Sequence, residues 1–305
     1  MAQGIVTVAG SFAVGLTLRS SRFPAAGETV LARDFDLGPG GKGSNQAVQI
    51  ARMGERVELV GVIGTDDFGD IAVNMYSLEG VGMKRLERTP ERNTGVGFII
   101  LDESGENRIL LDPGANELFA PSHIEAARDL IADSSVVLTQ LEIPIETAAA
   151  AMAAARENGA VSILNPAPAR ELEPSVLENV DILTPNQTEA RILAGLGPDD
   201  PIDDLDACAE LMRRGVATVV LTRGPRGASI VTTEGVEHVD AFPVAVVDST
   251  GAGDAFNGTL ATALAQGMPL TEAVRRACGA GALACTKLGV IPALPTLPEL
   301  DELLA

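Results

Sequence analysis

Short apolar runs recur along the chain at residues 4–9, 57–62, 135–141, 161–165, 181–184 and 217–222. Runs of this length, almost without polar interruption, suit strands buried on both faces. Helical spacing of apolar positions fills the segments between and after them: 44–53, 144–158, 203–215, 253–266 and 271–287. The Ala-rich 144–158 segment ends at Asn158-Gly159, where glycine stops a helix. Pro121-Ser122-His123-Ile124-Glu125 carries the S-x-x-E spacing of a capping box and opens a further helix. Strands alternating with helices predict an α/β fold with a mostly parallel sheet covered on its faces.

Two regions break the alternation. Residues 14–35 hold β-like runs with no helix between them. Residues 95–112 read as two strands around the turn Glu103-Ser104-Gly105-Glu106. Both are read as antiparallel pieces inserted into the α/β chain. Together they predict a small β-layer beside the main domain, placed to cover a site as a lid.

The chain has 305 residues, enough for two domains or one large α/β domain. Hydrophobic residues make up 46%, which supplies a core and excludes a mostly disordered chain. No apolar run reaches membrane-helix length, and the apolar start at residues 1–9 lacks a basic flank, so it reads as a strand and not a signal peptide. The net charge of −20 repels nucleic acid and anionic lipid, so neither is expected as a partner. The three cysteines, Cys208, Cys278 and Cys285, form no C-x-x-C pair and no even disulfide set; a cytoplasmic location is expected.

Three motifs carry candidate chemistry. Gly38-Pro39-Gly40-Gly41-Lys42-Gly43-Ser44-Asn45 is a Gly-rich approach to a helix, whose first N–H groups are free for an anion or hydroxyl. Gly38, Gly40 and Gly43 formally match G-x-G-x-x-G, but some thirty residues too late after the first strand for a dinucleotide fingerprint. Asp248-Ser249-Thr250-Gly251-Ala252-Gly253-Asp254 follows a β-like run at 244–247 and opens a helix. Its consecutive amides form a positive concavity, and Asp254 either caps the helix or takes a proton from a hydroxyl. Thr184-Pro185-Asn186-Gln187-Thr188-Glu189 offers an amide oxygen and a carboxylate that suit hydrated Mg²⁺ or, equally, a helix cap.

Weaker candidates accompany them. Glu142 follows a strand at a carboxyl end, and Lys287 lies near a helix end. His123 and His238 lack metal spacing and read as surface or satisfied histidines. The acidic run 199–206 reads as a solvated loop and helix start. No G-x-S-x-G elbow is present.

GPGGKGSNQA, NPAPA, TPNQTEA and DSTGAGDAFNG, in that order, resemble the ribokinase branch of the PfkB carbohydrate kinase family over essentially the whole chain. The resemblance implies a three-layer αβα domain (residues 1–12, 39–93 and 114–305) with a small inserted β-sheet lid (13–38 and 94–113). It implies phosphorylation of a primary hydroxyl on a small sugar or polyol, ribose by default, with ATP and Mg²⁺. Asp254 is then the general base, and the Gly251, Ala252 and Gly253 amides stabilise the transferring phosphoryl group. Gly41, Lys42, Asn45 and Glu142 hold sugar hydroxyls. Thr222, Gly224 and Gly227 match the nucleotide loop, Asn186 and Glu189 organise Mg²⁺ through waters, and Asp248 and Thr250 match a monovalent cation (K⁺) site. The family's lids imply a homodimer.

Departures from the family pattern fall on one side of the sugar pocket and near the cation site. Ala13 and Gly15 stand where ribokinases carry Asn and Asp on sugar hydroxyls, leaving Arg19 or Arg22 as substitutes. Each buried hydroxyl without its partner costs about 1–3 kcal/mol. Ala293 stands where ribokinases often have Ser near the cation site, which weakens the case for K⁺ activation. A kinase for a deoxy sugar, nucleoside or other polyol is the alternative within the class. A dinucleotide-dependent oxidoreductase and a non-catalytic sugar or nucleotide sensor are the alternatives outside it.

Overall fold

A computed structural model describes residues 4–103 and 106–305. Residues 1–3 of the expected first strand, and Ser104-Gly105 of the expected turn, lie outside the described residues. The strands are β1 Ile5–Ala9, β2 Ala13–Arg19, β3 Arg33–Gly40, β4 Arg56–Gly64, β5 Gly82–Thr89, β6 Gly95–Leu101, β7 Asn107–Asp112, β8 Ser134–Gln140, β9 Val161–Asn165, β10 Ile182–Leu183, β11 Thr218–Thr222, β12 Ala228–Thr232 and β13 Gly235–Val239.

Nine strands form one sheet in the order β13-β12-β11-β10-β9-β8-β1-β4-β5. All neighbours from β11 to β5 pair in parallel, and β12 and β13 close one edge antiparallel. Val6, Val8, Leu59 and Leu138 pack on one face against the helices Lys42–Arg52, Ala252–Ala265 and Leu270–Ala284. Ala9, Val60, Val137 and Leu164 pack on the other, against Ile145–Glu157, Gln187–Leu193 and Asp204–Arg213. Alternating side chains of each strand thus enter two cores, which is why the strands are apolar throughout. The result is a three-layer αβα domain.

The two irregular regions combine into a separate sheet in the order β3-β2-β6-β7. Each region is an antiparallel hairpin within itself, but β2 and β6 join them in parallel, with Ala13 opposite Gly95 and Gly15 opposite Gly97. The layer is therefore mixed where the sequence suggested only antiparallel pieces. Both chains leave the large sheet at the same end, so their first strands run side by side.

Other expectations need correction. The run 244–247 is not a strand: Val246 and Val247 are exposed, no strand pairs with them, and the Val247 N–H donates to the Cys285 carbonyl at 2.8 Å instead. Ser122 and Glu125 make no capping box, because the helix begins one residue earlier, with Pro121 in its first position. His123 takes the third position, where its Nδ1 accepts from the Ala120 N–H at 3.0 Å while Nε2 lies 3.2 Å from Glu87. The acidic run is only partly solvated, since Asp204 is nearly buried against Arg191 at 2.6 Å. The helix Asp67–Glu79 and edge strand β5 were not apparent in the apolar pattern; β5 carries the exposed charged pairs Lys84-Arg85 and Glu87-Arg88.

Candidate active site

Strand order reverses across β1: β4 and β5 lie on one side, β8 to β11 on the other. A crevice opens outside the carboxyl ends of parallel strands at such a switch point. The residues gathered there are Ser11 after β1, Gln140 and Glu142 at the end of β8, Asn165 at the end of β9 and Thr184 after β10.

The Gly-rich segment docks onto the first of these ends. Gly41 has φ 90°, and a Cβ there would sit 2.8 Å from Phe12 Cα, so only glycine fits. The Ser44 N–H donates to the Ser11 carbonyl at 2.9 Å, which seats the start of the Lys42–Arg52 helix. Glu142 is half-buried, not an exposed loop acid. Its Oε2 accepts from Ser11 Oγ at 2.7 Å and from the Lys42 N–H at 2.8 Å.

A second helix, Ala252–Ala265, brings Asp254 to the same point in its first turn. The two helices come together at Gly258, where a Cβ would meet Gln49 Cβ at 2.7 Å. Asp254 is 6% exposed. Its Oδ2 accepts from Asn45 Nδ2 at 2.7 Å and its Oδ1 from Gln46 Nε2 at 2.9 Å. Burial pushes its pKa up; the Lys42 charge and the Asn45 and Gln46 donors oppose this, and Glu142 adds to it, for a net rise. Asn45 Oδ1 is buried without a partner. Beside Asp254, Gly251 turns the chain with φ 81°, and a Cβ on Gly253 would meet nothing within 4 Å. The Ala252 N–H is engaged with the Ser249 carbonyl at 3.2 Å.

The remaining candidates surround this point. Asn186 and Glu189 cap each other's backbone: Asn186 Oδ1 accepts from the Glu189 N–H at 2.9 Å, and Glu189 Oε2 from the Asn186 N–H at 2.8 Å. Both readings of this motif share these atoms, since each oxygen keeps a lone pair for a hydrated cation. Burial raises the Glu189 pKa, against the Asn186 N–H and Lys42. No cluster of three or more acidic, His or Cys side chains could hold a metal directly among the described residues. The Thr222 N–H donates to Pro185 at 2.9 Å, placing the loop of Gly224 and Gly227 beside Asn186. Asp248 Oδ1 accepts from Thr250 Oγ1 at 2.7 Å and Oδ2 from the Gly289 N–H at 3.2 Å. Burial opposes its charge, but those donors outweigh it and lower the pKa.

Some sequence candidates are not brought to the site. Lys287 pairs with Glu299 at 2.8 Å, His238 Nδ1 lies 2.9 Å from Ser229 Oγ, and Arg22 pairs with Glu28 at 2.6 Å in the loop between β2 and β3. Gly38 and Gly40 lie in β3, not between a strand of the large sheet and its helix, which removes the dinucleotide fingerprint. Ser11, Gln46, Gln140 and Asn165 were missed as site residues. An amide ending an otherwise apolar strand, as Gln140 and Asn165 do, was the available signal.

Residues 5–297 match the family model described as pfkB family carbohydrate kinase. The chain is 36% identical to a ribokinase of Bacillus subtilis over 300 residues, covering 98% of this chain and 99% of that one. It is 34% identical to a deoxyribokinase of Salmonella typhi over 302 residues, covering 98% of each. Its fold matches the structure of Arabidopsis thaliana ribokinase complexed with ribose and ATP, with a TM-score of 0.93, 29% identity and coverage of 100% and 99%.

Proposed function

The chain belongs to the pfkB family of carbohydrate kinases and is a ribokinase-like sugar kinase, and on that premise we propose that it transfers the γ-phosphoryl group of ATP to a primary hydroxyl held at Asp254. The observation that carries this is the buried Asp254 carboxylate, fixed by two amide donors beside the open helix start at Gly251–Gly253. The acceptor hydroxyl donates its proton to Asp254 as its oxygen attacks phosphorus. The bond to the β,γ-bridging oxygen breaks, and ADP leaves. Charge developing on the phosphoryl oxygens faces the N–H groups of the helix start, where it is most stabilised.

The other roles are proposed on the same reading. Gly41, Lys42, Asn45 and Glu142 line the sugar side, and the unpartnered Asn45 Oδ1 is an acceptor awaiting a sugar hydroxyl. Thr222, Gly224 and Gly227 take the nucleotide. Asn186 and Glu189 would hold Mg²⁺ through water, where the ion would supply positive charge to the nucleotide phosphates. Asp248 and Thr250 keep oxygens for a monovalent cation. Residues 1–12, 39–93 and 114–305 act as the kinase domain, and 13–38 with 94–113 as a lid that closes on sugar and pairs two copies. The free thiols of Cys208, Cys278 and Cys285 suit the cytoplasm.

Ribose is the default acceptor. A second reading, a deoxy sugar or related polyol, is favoured by β2. Ala13 lies between Gly40 and Gly95, and Gly15 between Gly38 and Gly97, so no polar side chain projects from these positions. The test is ADP release from ATP and Mg²⁺ across pentoses, deoxypentoses, hexoses, tetritols and nucleosides. Turnover of one compound that Asp254→Asn abolishes supports the kinase reading and identifies the acceptor. Strong preference for ribose over 2-deoxyribose removes the second reading. No turnover with any compound, together with nucleotide binding, favours a sensor.

A further inference from the structure

Asp254 ends a buried chain of side-chain amides in which both polar atoms of Gln46 are engaged. Gln46 Nε2 donates both to Asp254 Oδ1 at 2.9 Å and to Asn165 Oδ1 at 3.1 Å. Asn165 Nδ2 donates to the Thr184 carbonyl at 3.3 Å. Gln46 Oε1, in turn, accepts from Gln140 Nε2 at 2.6 Å. Gln46 is fully buried, Gln140 is 1% exposed and Asn165 6%. Turning the Gln46 amide over would face its NH₂ against the Gln140 NH₂, and its oxygen against both Asp254 and the Asn165 oxygen. Gln140 and Asn165 therefore hold Gln46 as a donor toward Asp254.

We propose that Gln46, held in one orientation by Gln140 and Asn165, is a positioning residue that keeps Asp254 aimed and ionised for proton abstraction. The inference rests on Asp254 being the base. A carboxylic acid proton on Oδ1 would point at an N–H; a carboxylate satisfies it. Burial favours the neutral acid, and the donated N–H from Gln46 works against burial. The charged groups acting on Asp254 are Lys42, from the same helix as Gln46, and Glu142, from the loop after β8; neither changes when Gln46 is replaced. Gln46 would touch neither sugar nor nucleotide in this role, since each of its polar atoms is already engaged.

The test is the pH profile of kcat, with KM for ATP and for sugar, in the full-length enzyme with ribose and 2-deoxyribose. Gln46→Met keeps length and removes the donor. Loss of a hydrogen bond to a charged group should move the acid limb of kcat upward by about one to two pH units. The kcat at neutral pH should fall, with both KM values within about twofold, the margin below which uniform binding is unchanged. Gln140→Met leaves Gln46 in place but removes one of the contacts that orient its amide, and should shift the limb the same way by less. It also serves as the test if Gln46→Met does not fold. An unmoved acid limb in the folded variants overturns the inference, as does a raised sugar KM with unchanged kcat. Asp254→Asn separates the two levels. If it keeps turnover, the base assignment fails and this inference with it; if it abolishes turnover while the Gln variants leave the limb unmoved, only this inference fails.

Discussion

Burial raises the Asp254 pKa, so the effects of its ionisation on activity and on stability oppose each other. Its raised pKa means that its contribution to folding is present below the unfolded value and is lost as pH rises through the folded one. Proton abstraction needs the opposite state. Lowering the pH from 8 toward 5 should therefore reduce kcat, with an acid limb above the ordinary carboxylate range. Over the same interval the melting temperature of the wild type, measured against Asp254→Asn at each pH, should rise. A difference in melting temperature that stays flat would contradict the buried-acid account. Gly227 makes a second demand at this scale. It has φ 76°, and a Cβ there would fall on the Val239 carbonyl oxygen. Gly227→Ala should cost at least about 1–2 kcal/mol of stability from the left-handed backbone alone. Calorimetry with ATP should also show weakened nucleotide binding.

Among the elements, the passage from β5 into the small sheet is pinned by one carboxylate. Asp66 caps the Asp67–Glu79 helix by accepting from the Gly69 N–H at 2.9 Å. It also accepts from the Thr94 N–H at 2.8 Å and Thr94 Oγ1 at 2.6 Å, just before β6 begins. Partial burial disfavours its charge, but these donors outweigh it and the pKa is lowered. A lowered pKa gives stability that is present above the unfolded value and lost as pH falls through the folded one. Asp66→Ala should destabilise the protein by about 1–2 kcal/mol, read by urea unfolding at pH 7. The gap from wild type should narrow below pH 4, near the ordinary Asp value. The Asp66 cap was not apparent before the fold because its second partner, Thr94, lies 28 residues away.

Several exposed apolar side chains of the whole molecule lie on the edge strands of the small sheet: Phe35 is 63% exposed, Ile109 57%, Leu110 75% and Leu111 59%. Single exposed residues need no explanation, but three in a row along an edge strand offer a contact surface. Pairing of two copies through this layer would cover it, so light scattering should give a dimer mass that Leu110→Lys lowers to that of a monomer. A concentration-independent monomer mass for the wild type would rule this out. Sugar binding should separately increase amide exchange protection across 95–112, as closure of the layer over Asp254 requires.

The alternating α/β order, the motif positions and the two irregular insertions were all present in the sequence, because each is a local matter of apolar spacing, glycine density or strand length. The family resemblance likewise rested on short contiguous motifs such as GPGGKGSNQA and DSTGAGDAFNG. What lay beyond it were relations between distant residues. The parallel joining of β2 to β6 depends on both insertions leaving the large sheet at one end. The exposed 244–247 run had the composition of a strand but no neighbour to pair with. Gln46, Gln140, Asn165 and Asp254 are separated by up to 208 residues and meet only where strand ends and two helix starts converge. Local spacing determines which elements form; hydrogen-bond partners across the core are decided by packing, since an amide's role depends on which groups the fold brings within about 3 Å of it.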